Sequence, residues 1–189
     1  MKLQPGDSLL VVDMQEDFME GGSLPVNGAR DIVPRINRVI ELFHEKGLLV
    51  FYSRDWHPEN HCSFDVFGGQ WPPHCVQGTR GAQFAKGLLV SKEAMVVSKG
   101  IRRDEDAYSA FKGTFLSARL RSYGVERMFV AGVATDYCVK ESVLDALEIG
   151  IETILLLDCT AWVAEETGRK ALEEMERSGA KFISCSDLH

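Results

Sequence analysis

Cys138 is a candidate nucleophile because of where it lies in the stretch GVATDYCVK, between an apolar run and a segment with helical spacing. This position predicts that Cys138 falls in the first turn of a helix capped by Thr135 or Asp136. Unpaired N–H groups and the helix dipole would favour a thiolate there. A buried cysteine is also an ordinary small apolar residue. The position alone therefore leaves both interpretations open.

Two charged residues end other apolar runs: Asp13 follows LLVV, and Lys99 follows MVVS. Taken singly, Asp13 is typical of a turn and Lys99 of a solvated loop. Partial burial at a strand end would instead raise the pKa of Asp13 enough for proton exchange. Together with Cys138 they predict an amidase or hydrolase set, in which the carboxylate deprotonates the thiol and the ammonium stabilises charge.

A second set of reactive side chains occupies residues 55–80, a long stretch without periodicity that contains Asp55, His57, His61 and His74. Residues two apart in extended chain project to the same side, so Asp55 and His57 can bind one ion while His74 closes from the far end. His61 is a possible additional ligand. Oxygen and nitrogen donors suit Zn, Fe or Mn better than Mg or Ca. The alternative is that these histidines hydrogen-bond to backbone within a rigid loop.

Aromatic residues near these positions could form the walls of a pocket for a flat ring. Phe18, Trp71 and Tyr108 lie in the long loop or a few residues beyond the end of an apolar run. Packing in the core or within a loop is the commoner role of such residues. No phosphate loop and no G-x-G-x-x-G motif is present, so the sequence gives nucleotide binding no support.

The elements that position these residues are short apolar runs typical of strands buried on both faces. They are SLLVVD (8–13), LLVFYS (48–53), AMVVS (94–98), RMFVAGV (127–133), TILLLD (153–158) and KFIS (181–184). Helical spacing lies between several of them: a stripe from Ile32 to Phe43 whose first turn would hold Pro34, and patterns near 114–123, 136–148 and 165–178.

This alternation predicts an α/β fold with a doubly wound, mostly parallel six-stranded sheet flanked by helices. Ligands of such folds bind beyond the carboxyl ends of the strands. We therefore expect Asp13, Asp55, Lys99, the 134–138 turn and Asp158 to meet along one edge.

Composition narrows the class of protein. The length of 189 residues favours one domain spanning 1–189, and no segment is apolar for long enough to cross a bilayer. A net charge of −7 without a basic cluster argues against nucleic acid or an anionic membrane as partner. The five cysteines form no C-x-x-C pair, so at least one thiol is free. Without a recognisable secretion signal, we expect a cytoplasmic protein.

Several motifs, in order along most of the chain, together resemble the isochorismatase-like cysteine hydrolases. They are DMQEDF (13–18) with EGGSL, RDWHP (54–58), WPPHC (71–75), AYSAF (107–111) and GVATDYCV (132–139). The D-W-H and W-P-P-H motifs resemble the nicotinamidase/pyrazinamidase branch in particular. Isochorismatases and carbamoylsarcosine amidases typically lack the metal site that these two motifs would form.

The resemblance implies a role for each matching residue. Cys138 would be the nucleophile, Asp13 the general acid/base and Lys99 its electrostatic partner. One divalent transition metal, with Zn favoured and Fe or Mn possible, would be held by Asp55, His57 and His74, with His61 left open.

The resemblance also implies how the substrate binds. A cis peptide between Val133 and Ala134 would aim the N–H groups of Ala134 and Cys138 into an oxyanion hole. Nicotinamide would lie between aromatic residues, with its ring nitrogen on the metal, and would be hydrolysed to nicotinate in NAD salvage. Because family members commonly assemble, a homo-oligomer is expected. The substrate-binding residues would be Phe18, Trp71, Tyr108, Val133 and Ala134. Glu16 and Tyr137 depart from the family's usual Asn and His.

Three other functions stay open at this point. A different hydrolase of the same superfamily would act on another small amide or an enol ether without needing the metal. Two His and one carboxylate could serve a non-haem iron oxygenase, but Cys138 and Lys99 would then have no role. A redox-sensing or ligand-binding protein could use Cys138 as a reporter, although the presence of Asp13 and Lys99 beside the thiol argues against it.

Overall fold

The six apolar runs form one parallel sheet in the computed structural model, which describes residues 1–189. The strands are β1 Asp7–Val12, β2 Leu49–Asp55, β3 Met95–Lys99, β4 Arg127–Val133, β5 Glu152–Ala161 and β6 Lys181–Ile183. Their spatial order is β3-β2-β1-β4-β5-β6, and every neighbouring pair is parallel. The prediction of a doubly wound six-stranded sheet is confirmed.

Four helices cover the two faces of this sheet. They are α1 Ala29–Glu45, α2 Leu116–Ser122, α3 Lys140–Glu148 and α4 Glu165–Arg177. Alternation along β1 shows why both faces need cover, since Leu9 and Val11 pack in the cluster that contains α1, whereas Leu10 and Val12 pack with the other three helices. The strands therefore read as continuous apolar runs.

Gly132 lets the two central strands approach closely near the carboxyl edge of the sheet. Its φ is +118°, and a Cβ at this position would lie 2.1 Å from the carbonyl oxygen of Val12. A side chain cannot fit, so only glycine permits β4 to pass β1 here. The turn that follows β4, and with it Cys138, is thereby held beside the end of β1.

Two details differ from the sequence expectations. Pro34 lies in the second turn of α1, because the helix begins five residues earlier at Ala29, so the helix tolerates an interior proline at the position of a missing hydrogen bond. β5 continues past Asp158 to Ala161, with an irregular stretch between the pairs Leu155–Val130 and Thr160–Gly132.

None of the helices combines the length and the apolar character that a bilayer crossing requires.

Candidate active site and metal centre

Four adjacent strands deliver the candidate residues to one edge of the sheet. Asp13 directly follows β1, Asp55 and Lys99 are the last residues of β2 and β3, and Cys138 lies in the turn after β4. All four side chains are buried. These four side chains therefore lie together as expected, because the carboxyl ends of parallel strands share an edge.

Lys99 lies at the centre of this group. Its Nζ is 2.9 Å from Asp13 Oδ2 and 3.4 Å from Cys138 Sγ, and it also contacts Asp55 Oδ1. The side chain is 1% exposed, which rules out a solvated loop lysine. Two carboxylates and one thiol thus face a single buried ammonium.

Burial and Lys99 together set the protonation of the acid and the thiol. Burial raises the pKa of Asp13, and Lys99 only partly offsets the effect. The other oxygen of Asp13, Oδ1, accepts a hydrogen bond of 2.6 Å from Ser53 Oγ, which fixes the carboxylate. Burial also holds the pKa of Cys138 well above its ordinary value despite the nearby ammonium. The resting form of Cys138 is therefore the thiol, with a proton acceptor of raised pKa beside it.

The turn that carries Cys138 differs from the expected capped helix start. Thr135–Val139 form one π-helical turn ahead of α3, and no side chain caps it. The carboxylate of Asp136 instead accepts hydrogen bonds from the N–H groups of Val163 and Ala164, so it holds the two residues that precede α4. The prediction of a cap by Thr135 or Asp136, and of a thiolate favoured by that helix start, is wrong.

The peptide bond before Ala134 is cis, as the family pattern implied. Ala134 and Cys138 both line one cavity, while the Ala134 carbonyl accepts hydrogen bonds from the N–H groups of Tyr137 and Val139. The turn therefore places the thiol and the Ala134 backbone beside the same space.

Asp55, His57 and His74 form a compact set of oxygen and nitrogen donors whose ligand atoms lie within 4.8 Å of one another. The Nε2 atoms of His57 and His74 are 3.7 and 3.9 Å from Asp55 Oδ2. Their Nδ1 atoms lie 2.9 and 2.8 Å from the carbonyl oxygens of Gly100 and Pro72. A carbonyl only accepts, so each Nδ1 carries the hydrogen and leaves the Nε2 lone pair free for a metal.

The donor set fits a divalent transition metal, because it offers two imidazoles and one carboxylate. Backbone carbonyl groups around the site hold both imidazoles in place. Burial acts to raise the pKa of Asp55, but Lys99 and His57 outweigh it and hold the pKa below its ordinary value. Asp55 is thus ionised and able to bind a cation. A Cβ at position 100 would lie 2.5 Å from His57 Nδ1, so Gly100 is also needed for this contact.

His61 does not belong to this donor set. Its ring stacks on that of His57 at 4.1 Å between centroids. Its Nδ1 is 2.7 Å from Ser63 Oγ, and its Nε2 is 3.1 Å from the Glu105 carbonyl oxygen. Both ring nitrogens of His61 therefore bond to protein groups, and neither has a lone pair free for a metal.

Gln15 holds the backbone of Asp55 and had escaped notice in the sequence. Its Oε1 accepts from the Asp55 N–H at 2.7 Å, and its Nε2 donates to the carbonyl oxygens of Asp55 at 2.7 Å and Ala82 at 3.0 Å. The side chain is fully buried. An uncharged glutamine two residues after the candidate base gives no signal of this role in the sequence.

A cavity opens between the Cys138 group and the metal donors. Its lining includes Cys138 together with Asp55, His57 and His74. Phe18, Trp71 and Tyr108 all line it, and Trp71 Nε1 donates to Tyr108 Oη at 2.9 Å. The three aromatic residues, distant in sequence, therefore line one cavity.

Two candidate residues lie elsewhere. Val133 does not line the cavity, because its side chain is directed into the hydrophobic cluster on the α1 face of the sheet. Asp158 does not reach the active edge, since it lies in the irregular stretch of β5 and accepts hydrogen bonds from Ser184 Oγ and the Cys185 N–H.

Other cavity-lining residues were not expected from the sequence. They are Leu24, Val26, Ser63, Asp106, Ala107, Tyr137 and Val163. Of the two departures from the family pattern, Tyr137 lines the cavity and packs edge-on against Trp71, whereas Glu16 binds the Lys86 N–H away from it. Apolar residues such as Leu24 carry no chemical signal, so only the fold could show them.

Comparison with known proteins shows what the whole chain is similar to. The family model of the isochorismatase domain matches residues 7–187. The nicotinamidase/pyrazinamidase of Mycobacterium tuberculosis is 38% identical over 191 residues, covering 95% of this chain and 99% of that protein. The solved structure of Pyrococcus horikoshii pyrazinamidase in complex with zinc is 48% identical, with a TM-score of 0.93 and coverage of 95% and 99%. L. infantum PnC1 in complex with nicotinate is 38% identical, with a TM-score of 0.94 and coverage of 100% and 98%.

Proposed function

The chain belongs to the isochorismatase domain family, and on that premise we propose that it is an amidase that hydrolyses nicotinamide to nicotinate and ammonia. The observation that carries the proposal is a single cavity lined by both Cys138 and the Asp55, His57 and His74 donors. The names of the similar proteins support the same substrate, and those of two of them extend it to pyrazinamide.

The aromatic walls orient the substrate. Phe18, Trp71 and Tyr108 offer apolar surfaces to a pyridine ring, and the hydrogen bond between Trp71 and Tyr108 fixes two of them. A bound ring in this cavity would present its carboxamide carbon to Cys138. Such orientation removes much of the entropic barrier to attack.

Asp55, His57 and His74 would hold one divalent metal, for which zinc is our proposal because a similar pyrazinamidase was solved with zinc. When bound, the metal would supply a Lewis acid to the cavity that these residues line. The chain itself contributes the fixed orientation of both imidazoles through Gly100 and Pro72.

Asp13 would act as the base and then as the acid. It takes the proton of the Cys138 thiol as sulfur attacks the carboxamide carbon, because its own raised pKa and position suit it to hold that proton. The N–H groups of Ala134 and Cys138 would stabilise the oxyanion. Asp13 returns the proton to the departing ammonia, and water then hydrolyses the thioester to nicotinate.

Lys99 would keep charge balanced through these steps. Its ammonium lies 2.9 Å from Asp13 and 3.4 Å from Cys138 Sγ, so it faces the negative charge on whichever group holds it. Full burial strengthens both interactions relative to water. We infer that proton transfer between Asp13 and Cys138 takes place without a change in the charge of Lys99.

The wider setting is also a proposal. An enzyme that makes nicotinate would act in NAD salvage, in the cytoplasm, as a one-domain chain that assembles into a homo-oligomer. Size-exclusion chromatography with light scattering tests the assembly, and a mass corresponding to a single chain would refute it.

The experiment for the activity measures ammonia release from nicotinamide by the purified protein. We expect release with zinc supplied, a strong decrease after chelation that added zinc reverses, and none above background for Cys138→Ala. A metal-independent hydrolase of the same family would keep its activity after chelation. Absence of release with metal supplied, or full activity in Cys138→Ala, would refute the proposal.

A further inference from the structure

Two cysteines that the proposed reaction does not use lie together on the far side of β5. Cys159 belongs to the irregular stretch of β5, and Cys185 begins the C-terminal 3₁₀ turn Cys185–Asp187. Their Sγ atoms lie within 4.8 Å of each other. No other cluster of thiol, imidazole and carboxylate donors in the structure holds two cysteines.

The two thiols differ in their access to solvent. Cys159 is fully buried, whereas Cys185 is partly buried against the edge of the same core. A small reagent can therefore reach Cys185 first. The Cys159 Sγ then lies within 4.8 Å of the Cys185 sulfur that has reacted.

The surroundings favour a bond between the sulfurs over a bound cation. Asp158 accepts hydrogen bonds from the Cys185 N–H at 2.7 Å, from Ser184 Oγ at 2.9 Å and from Cys185 Sγ at 3.0 Å, so its oxygens are already occupied. Loss of the thiol hydrogen leaves this carboxylate with two donors. Burial raises the pKa of both thiols, but Arg35 acts in the opposite direction on Cys159, as does Arg38 on Cys185.

We propose that Cys159 and Cys185 are a modification site, at which a low-molecular-weight disulfide converts the two thiols into a disulfide bond between β5 and the C-terminal turn. The bond would close a loop that contains α4 and β6. It would also anchor the chain ends, since the Leu3 N–H donates to the His189 carbonyl and the His189 N–H to the Met1 carbonyl.

The exchange is balanced with oxidised glutathione as co-reactant. The Cys185 thiolate attacks one glutathione sulfur, which forms a mixed disulfide and releases one glutathione thiolate. The Cys159 thiolate then attacks the Cys185 sulfur and displaces the second. The two protons from the cysteines pass to the two released thiolates, so two cysteines are oxidised and one glutathione disulfide is reduced to two thiols.

The test incubates the full-length protein with oxidised glutathione and maps its peptides without reduction. We expect a linked peptide pair containing Cys159 and Cys185, with the mass of two hydrogen atoms lost. We also expect a rise in Tm of about 5–10 °C because the unfolded chain is constrained. Dithiothreitol should reverse both changes.

Cys185→Ser is the informative variant, because a serine keeps a hydrogen-bond donor for Asp158 while removing the sulfur. It should give neither the link nor the rise in Tm. Cys62→Ser is the matched control, since Cys62 is also partly buried but lies in no cluster with a second cysteine. A glutathione adduct that persists on Cys185 of the wild-type protein, or an equal rise in Tm in Cys185→Ser, would overturn the proposal.

Discussion

Asp13 and Asp55 contact the same ammonium of Lys99 yet differ in their acidity. Burial raises the pKa of Asp13, with only partial opposition from Lys99. For Asp55, Lys99 and His57 together outweigh burial, and the pKa falls below its ordinary value. The comparison assigns proton exchange to Asp13 and a persistent negative charge to Asp55, where Lys99 and then His57 oppose burial.

The two sides of Lys99 also differ in how the fold builds them. Asp13 and Lys99 lie at strand ends, where the sheet alone sets their separation. On the other side, His57 and His74 come from a long loop and depend on the carbonyl groups of Gly100 and Pro72 for their orientation. Changes on the Asp13 side should therefore affect the reaction, and changes on the loop side should affect the metal.

The largest effect is expected for Asp13→Asn. The amide cannot take the Cys138 proton, so kcat should fall about 10²–10⁴-fold. Zinc content, measured by atomic absorption, should stay near that of the wild-type protein because Asp55, His57 and His74 are untouched. Loss of zinc in this variant would contradict the division between the two sides.

His74→Ala should have the complementary effect. Removing one of three ligands should weaken zinc binding by about 100-fold or more, since even residues that only support a ligand cost 10–100-fold. Competition with a chromogenic chelator measures this affinity. Full zinc affinity in His74→Ala would remove the loop histidines from the metal site.

A smaller effect is expected for Gln15→Leu, which sharpens the comparison because Gln15 follows β1 but holds the backbone of Asp55. Loss of the two hydrogen bonds to Asp55 should weaken zinc affinity by about 10–100-fold. Gln77→Leu is the control, since Gln77 bonds to the Trp56 carbonyl at an exposed site. If both variants bind zinc equally well, Gln15 does not position the ligand.

The smallest effect is expected for His61→Gln. Both nitrogens of His61 bond to protein groups, so the number of zinc ions per chain should remain that of the wild-type protein. Metal analysis after dialysis checks this. A substoichiometric content would show that His61 is a ligand.

The sequence predicted the six strands and the meeting of Asp13, Asp55, Lys99 and Cys138, because buried parallel strands leave strong apolar runs and their ends share an edge. It could not place Asp158, since the irregular pairing of β5 depends on β4 and leaves no local pattern. The full burial of Lys99 could not be predicted from the sequence either, because it depends on two carboxylates that other strands supply.

The sequence also misassigned or missed contacts that depend on distant segments. Asp136 has the spacing of a helix cap but binds the N–H groups of Val163 and Ala164, which lie far along the chain, just before α4. Gln15 has no charge and no reactive group, so its bonds to Asp55 could be found only in the structure.

The central claim is that Cys138 forms a covalent bond to the substrate while Asp13 carries the proton. Its most direct test is mass spectrometry of the zinc-loaded protein, quenched in acid during turnover of nicotinamide. We predict a nicotinoyl group on the peptide that contains Cys138 and no such group in Cys138→Ala, which should also release no ammonia. Ammonia release by Cys138→Ala at the wild-type rate, with no mass increase on Cys138 of the wild-type protein, would contradict it.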